Sequence, residues 1–422
     1  MKTLRLKTFE DVRQALLAKH EIALIDVRHE AEFAQAHPLF AANLALEHIE
    51  FDARRRIPRL ATPIVVYDQG EGRATRAAHQ LLQMGYTDVA LLDGGLDGWR
   101  NAGGEIFIDV NVPSKAFGEL VESVRHTPSL SAEEVKAQLD AQAKMVVLDA
   151  RRFDEYQTMS IPTGISVPGA ELVLRARALA PDPETLIIVN CAGRTRSIMG
   201  TQSLVNAGIP NPVAALRNGT IGWKLAGLAL DQGASRRFAV VSVAQRREAA
   251  QAARTVADRA GVKRADHNQL SLFSAETGRT TYRFDVRTPE EFVAGHLPGF
   301  SSAPGGQLVQ ETDVSMPVRG ARVVLADHDG VRANMTASWL AQMGWEVSVL
   351  EEISADDRVQ MCSTEGATSP SETRPAVPRT NRYVRPYEGT DNPHEAMQAY
   401  LDWEYGLVDQ LARDGTHGFK VL

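Results

Sequence analysis

Leu186-Ile-Ile-Val-Asn190 runs directly into Cys191-Ala-Gly-Arg-Thr-Arg196, and from Ser197 the pattern becomes helical. A short aliphatic run bounded by a glycine-bearing turn reads as a buried strand, so the cysteine sits at a strand-to-helix junction. Backbone N–H groups and the positive end of a helix dipole both favour an anion there. Cys191 is therefore expected to ionise readily and to be reactive. Cysteine is more often a small buried hydrophobe. Against that stand Arg194 and Arg196, because cations at a helix start oppose the dipole unless an anion is present. Ser197 is expected to cap the helix.

The same framework occurs three times. Apolar runs end in Asp-x-Arg at Ile25-Asp26-Val27-Arg28, Leu148-Asp149-Ala150-Arg151 and Phe284-Asp285-Val286-Arg287. From Asp149 to Cys191 is 42 residues, and the same interval leads from Asp26 to Asp68 and from Asp285 to Asp327. Five residues further on stand Arg73, Arg196 and Arg332, and each copy then has a helix-ending glycine, Gly85, Gly208 or Gly344. Coincident spacings of this kind are the signature of an internal repeat.

Within a copy, β-rich runs alternate with helical patterns. In the first, Ile22–Asp26, Ile64–Tyr67 and Val89–Leu92 bracket a helix from Ala74 to Met84. Strands joined by crossover helices make a parallel sheet with helices on both faces, and ligands bind beyond the carboxyl ends of its strands. Copies one and two close with Asp93-Gly-Gly-Leu-Asp-Gly-Trp99 and Asn218-Gly-Thr-Ile-Gly-Trp223. Copy three reaches Leu350-Glu-Glu352 without glycine or tryptophan, so its last helix is missing or replaced. Residues 354–380 turn to Ser, Thr, Pro, Glu and Asp and read as a linker. Beyond it, 392–412 reads as one helix with Asn392 as cap and Pro393 in the first turn, burying a stripe of Met397, Tyr400, Leu401, Tyr405, Val408 and Leu411.

The chain has 422 residues, 44% of them hydrophobic, enough for about three domains. We divide it into 1–120, 121–235 and 236–353, the linker 354–380 and a helical tail 381–422. A net charge of −7 argues against nucleic acid as a partner. No apolar stretch approaches a membrane span, and two cysteines make no disulfide framework, so a cytoplasmic protein is expected, without metal or cofactor.

Taken together these motifs resemble the rhodanese domain. The pieces are Asp26-Val-Arg-His-Glu-Ala-Glu-Phe33 with Asp93–Trp99, then Asp149-Ala-Arg-Arg-Phe-Asp-Glu-Tyr156 with Val167-Pro-Gly-Ala170 and Cys191–Ser197, then Asp285-Val-Arg-Thr-Pro-Glu-Glu-Phe292 with Gly295-His-Leu-Pro-Gly299. The resemblance, to the multi-domain rhodanese-type sulfurtransferases, implies an α/β chain of tandem rhodanese-like domains plus the helical tail. It implies transfer of sulfane sulfur from thiosulfate through a persulfide on Cys191 to cyanide or a thiol, with 3-mercaptopyruvate as competing donor. The N–H groups of Ala192, Gly193, Arg194, Thr195 and Arg196 would cradle the sulfur anion, and Arg194 and Arg196 would face a dianionic donor. Small molecules are then the partners, and a homo-oligomer is permitted.

The other motifs take plainer roles. Asp149 and Arg151 read as a structural brace, since copies without cysteine share the pair. Asp68 and Asp327 cannot carry transferable sulfur, so copies one and three are expected to be inactive, with Arg73 and Arg332 paired to those aspartates. Cys362 reads as an incidental thiol, with a sulfur relay as the alternative. Rhodanese-like phosphatases carry Cys-x5-Arg, whereas this loop is Cys-x4-Arg, one residue shorter, which suits sulfur better than a phosphoryl group. A persulfide sensor or scaffold is the non-enzymatic rival.

Overall fold

The computed structural model describes residues 4–351 and 381–422. The expected linker, with Cys362 in it, lies outside the described residues. So does whatever follows the last strand of copy three beyond Glu351.

Each copy builds a five-stranded parallel sheet of one topology. In the second, the order across the sheet is Ser129–Leu130, Val213–Leu216, Leu186–Asn190, Met145–Asp149 and Ile165–Ser166. Alternate residues of its central strands face opposite layers. Leu148 and Val189 pack with Leu172 and Leu204 on one side, while Val147 and Ile188 pack with Val135 and Trp223 on the other. Helices therefore cover both faces, which explains why these strands are aliphatic nearly throughout. Asp149 lies beside Asn190 in the ladder, so Cys191 emerges one residue beyond the carboxyl edge.

One pairing departs from the all-parallel expectation. Val318–Arg319 of the third copy adds antiparallel to Ile22–Ala23 and extends the first sheet to six strands. A two-residue strand carries no readable period, so only the tertiary structure reveals it.

The closing motifs have a packing reason. Trp99 and Trp223 are buried, and their indole N–H groups donate to the carbonyls of Glu105 at 3.1 Å and Ala229 at 2.8 Å. Truncating either would cost about 3–5 kcal/mol.

Copies two and three meet through equivalent positions. Gly169 abuts Gly306, Ala170 abuts Gly305, and the Trp339 indole donates to Ser203 Oγ at 2.9 Å. Ser203 and Trp339 each stand seven residues after the loop arginine of their copy. The arrangement is a pseudo-twofold contact, in which one patch serves both partners. The helix Val112–Arg125 straddles residue 120 and is buried almost all round, packed on helices of the second copy and of the tail.

The tail is two helices, not one. His394–Tyr405 and Leu407–Asp414 are separated at Gly406, and Pro393 rather than Asn392 occupies the cap. Asn392 instead donates from its side chain to the Gly389 carbonyl at 3.4 Å. The break re-aims the stripe: Met397, Tyr400, Leu401 and Leu411 are buried as expected, Tyr405 is exposed, Val408 is half-buried, and Leu407 and Glu404 turn inward. Among the described residues no helix is long and apolar enough to cross a membrane.

Candidate active site

Cys191 is buried, and its thiol donates to Ser197 Oγ at 3.4 Å, which in turn donates to the Arg194 carbonyl at 2.8 Å. The helix runs from Thr195 to Asn206, so Ser197 lies inside its first turn and is not the cap. Thr220 N–H donates to the Cys191 carbonyl at 2.9 Å and Ile221 N–H to that of Ala192 at 3.0 Å, fastening the loop to the following helix. Gly219 makes this approach possible. A Cβ there would stand 2.3 Å from the Cys191 carbonyl oxygen, and its φ of +54° favours glycine as well.

The sister loops display what this backbone binds. Asp68 accepts from Gly70 N–H at 3.0 Å and Ala74 N–H at 2.9 Å, and Asp327 accepts from Gly330 N–H at 3.0 Å and Ala333 N–H at 2.9 Å. In each, a carboxylate side chain fills an anion nest from within. The expected pairing of these aspartates with Arg73 and Arg332 is not what forms. Arg73 binds Glu32 at 2.6 Å and 2.8 Å, and Arg332 binds Glu291 at 3.0 Å, Asp329 at 2.8 Å and Glu171 of the second copy at 2.8 Å. In copy two the residue equivalent to Ala74 and Ala333 is Ser197. Against the burial that raises the Cys191 thiol, the N–H and hydroxyl of Ser197 join the Arg196 charge in pulling it down, one residue beyond the expected cradle of 192–196.

Both loop arginines are already paired. Arg196 makes a fork-to-fork contact with Glu155 at 2.7 Å and 2.8 Å, the counterpart of Arg73–Glu32 and Arg332–Glu291, all 41 residues apart. Burial works to raise the Glu155 carboxyl, yet the Arg196 guanidinium holds it down at about 2. Arg194 donates to Glu119 at 2.7 Å through two nitrogens, to Glu122, and to Asn218 at 3.2 Å, and it stacks over the Tyr405 ring at 4.0 Å. The anions that reconcile these cations with the helix dipole are thus protein carboxylates, and neither guanidinium awaits a donor in this state. Asp149–Arg151 is the brace expected of it: Arg151 donates to Asp149 at 2.9 Å and 2.7 Å and to the Met159 carbonyl at 2.6 Å.

The cavity over Cys191 measures about 20 Å³, room for about one water. Ala192, Gly193, Arg194, Thr195 and Arg196 line it, as expected of the loop, and Thr195 Oγ1 has no hydrogen-bond partner among the described residues. Its other walls were not legible from the motifs: Ser114 and Lys115 from the central helix, Gln310 from copy three, and Tyr387, Tyr400 and Glu404 from the tail. Lys115 is held by Asp109 at 2.6 Å and lies 5.0 Å from the Tyr400 ring centre. One signal was available, a glutamate at position 404, one turn beyond Tyr400 and Leu401 on an otherwise apolar face. Burial pushes the Cys191 thiol above its ordinary value, with Arg196 and Ser197 pulling it down and Glu404 pushing it further up. Ready ionisation is therefore corrected: at this buried thiol desolvation outweighs the loop's favourable dipoles.

A repeated α/β unit with a cysteine loop beyond its central strand defines the class. The sequence model of the rhodanese-like domain matches residues 8–102, 131–226 and 273–352, and the chain belongs to that family. The crystal structure of a thiosulfate sulfurtransferase from Pseudomonas aeruginosa is similar over 99% of this chain and 100% of its own, at 54% identity and a TM-score of 0.95. A putative sulfur carrier protein, YrkF of Bacillus subtilis (strain 168), is 23% identical over 172 residues, which is 38% of this chain and 91% of YrkF. The uncharacterized YqhL of the same organism is 37% identical over 83 residues, 20% of this chain, and the chain spans 62% of its length. Family and fold together support sulfur transfer by rhodanese domains.

Proposed function

We propose that the chain moves sulfane sulfur from thiosulfate, through a persulfide on Cys191, to cyanide or a thiol acceptor. The observation that carries this is a substitution among equivalent loops. Where copies one and three hold an aspartate on backbone N–H groups, copy two holds sulfur, which alone can accept and release a sulfur atom. The Cys191 thiolate attacks the outer sulfur of thiosulfate, the S–S bond breaks, and sulfite leaves with the electron pair. The persulfide then gives its outer sulfur to the acceptor and the thiolate returns. The 54% identity to a thiosulfate sulfurtransferase supports this donor. Copies one and three, within 1–120 and 236–353, serve as inactive partners of 121–235, and we place the reaction in the cytoplasm.

Thiosulfate is far larger than this cavity of about 20 Å³. In this reading Tyr387, Tyr400 and Glu404 withdraw to admit it, and the loop residues 192–196 then surround the donor. A second reading has an observation of its own. Every cation lining the cavity already has a carboxylate partner, which favours a less charged donor such as 3-mercaptopyruvate. Steady-state sulfur transfer to cyanide from each donor, in wild type and Cys191→Ser, tests both. Thiosulfate turnover lost in the variant is expected. Turnover with 3-mercaptopyruvate alone selects the second reading, and none with either donor removes both.

A further inference from the structure

The tail inserts into the Cys191 cavity a carboxyl group for which the fold has no evident use. Glu404 is 1% exposed. Its Oε1 accepts from the Tyr400 hydroxyl at 2.9 Å, but Oε2 has no hydrogen-bond partner among the described residues. That oxygen lies 3.1 Å from where a Cβ on Gly193 would stand, so it faces the middle of the cysteine loop across a cavity both residues line. Leaving a buried carboxyl oxygen unpaired is unfavourable, and Met397, Leu401 and Leu407 nearby on the tail are apolar, so an apolar residue at 404 would serve packing better.

The other ionisable groups around it are committed. Lys115 is bound to Asp109, Arg194 to Glu119 and Glu122, and Arg196 to Glu155. Tyr400 donates to Glu404 itself, and Tyr387 packs edge-on against Tyr400. Among the described residues lining the cavity, Glu404 is the carboxylate with an oxygen open to it.

We propose that Glu404 accepts the thiol proton of Cys191, through the single water the cavity has room for, so that the catalytic unit comprises copy two and the tail. The S–H bond breaks, the proton ends on the carboxylate, and the electron pair stays on sulfur for attack on the donor. No oxidant or reductant is required. The transfer moves a negative charge from oxygen to sulfur without creating one, which is what a pocket with room for a single water permits. Burial acts on both partners in the same sense: Glu404 is pushed up to about 8, aided by Glu119 and opposed by Lys115, Tyr400 and Arg194, while Cys191 also rises. One charge is thereby shared between two sites that titrate as a pair.

This rests on the persulfide reading above, and the test separates the two. In a Cys362→Ser background, Cys191 is the one remaining thiol. Its ultraviolet thiolate absorbance is followed against pH with Glu404 and with Glu404→Gln, which keeps the size and the acceptor for Tyr400. The parent should titrate in two linked steps and the variant in one, at lower pH than the parent's last step because the neighbouring charge is gone. Thiosulfate turnover should follow the thiolate in each protein, so the variant's rise with pH should collapse to one step at the position of its own thiolate curve. Superimposable thiolate curves, or a loss of turnover equal at every pH, would overturn the proposal. Should Glu404→Gln fail to fold, Tyr400→Phe should move the parent's first step to higher pH, and no movement overturns it. If thiosulfate is no donor at all, the persulfide reading fails while the thiolate curves still judge Glu404.

Discussion

Gly219→Ala tests whether the close approach of helix to cysteine loop is what demands glycine. An added Cβ would stand 2.3 Å from the Cys191 carbonyl oxygen, 2.8 Å from that of Gly193 and 2.9 Å from the Ala192 carbonyl carbon. All three are backbone atoms and cannot swing aside. Holding alanine in the left-handed region costs about 1 kcal/mol, and relieving such overpacking about 1–3 kcal/mol more. Gly208→Ala supplies the control, since Gly208 has a φ of +68° but no atom of the described residues within 4 Å of the added carbon. Urea unfolding should therefore place Gly219→Ala about 2 kcal/mol below Gly208→Ala. Displacing Cys191 by about an ångström should also lower turnover of the folded variant about 100-fold, with the control unchanged. Gly95→Ala, whose Cβ would meet the Asp68 carbonyl oxygen at 2.7 Å, should destabilise without touching turnover. Equal unfolding midpoints for Gly219→Ala and Gly208→Ala would refute the reasoning.

Two further outcomes concern the paired carboxylates. The Glu155 carboxyl sits at about 2 in the folded chain against an ordinary 4.5, so it stabilises the fold above pH 4.5 and that contribution fades as pH falls toward 2. Glu155→Gln should be less stable by about 3 kcal/mol at neutral pH, with the gap closing across that window in acid unfolding curves. Asp68→Ala orphans the N–H groups of Gly70 and Ala74 and should cost about 2 kcal/mol in urea unfolding while leaving thiosulfate turnover as it was. A fall in turnover would show that copy one takes part in catalysis.

Much of the architecture could be read in advance because its causes are local. Strand runs, Asp-x-Arg braces, turn glycines and tryptophans recur at fixed intervals, and each recurrence repeats one contact: Arg28, Arg151 and Arg287 all reach a carbonyl eight residues on. The two-residue strand Val318–Arg319 and the break at Gly406 were not legible, since neither changes the periodicity that announces an element. At the site, the loop and its nucleophile stood out by position, whereas the state of that nucleophile did not.

By itself the sequence determined the repeat, the sheet each copy builds and the one loop where sulfur replaces a carboxylate, since these follow from neighbours along the chain. Only the tertiary structure decided the electrostatics of that loop. The carboxylate that neutralises Arg194 comes from a helix 75 residues away, and the tail brings Glu404 and the tyrosines that dry the cavity. Burial and charge pairing depend on what surrounds an atom in space, which no spacing along the chain records.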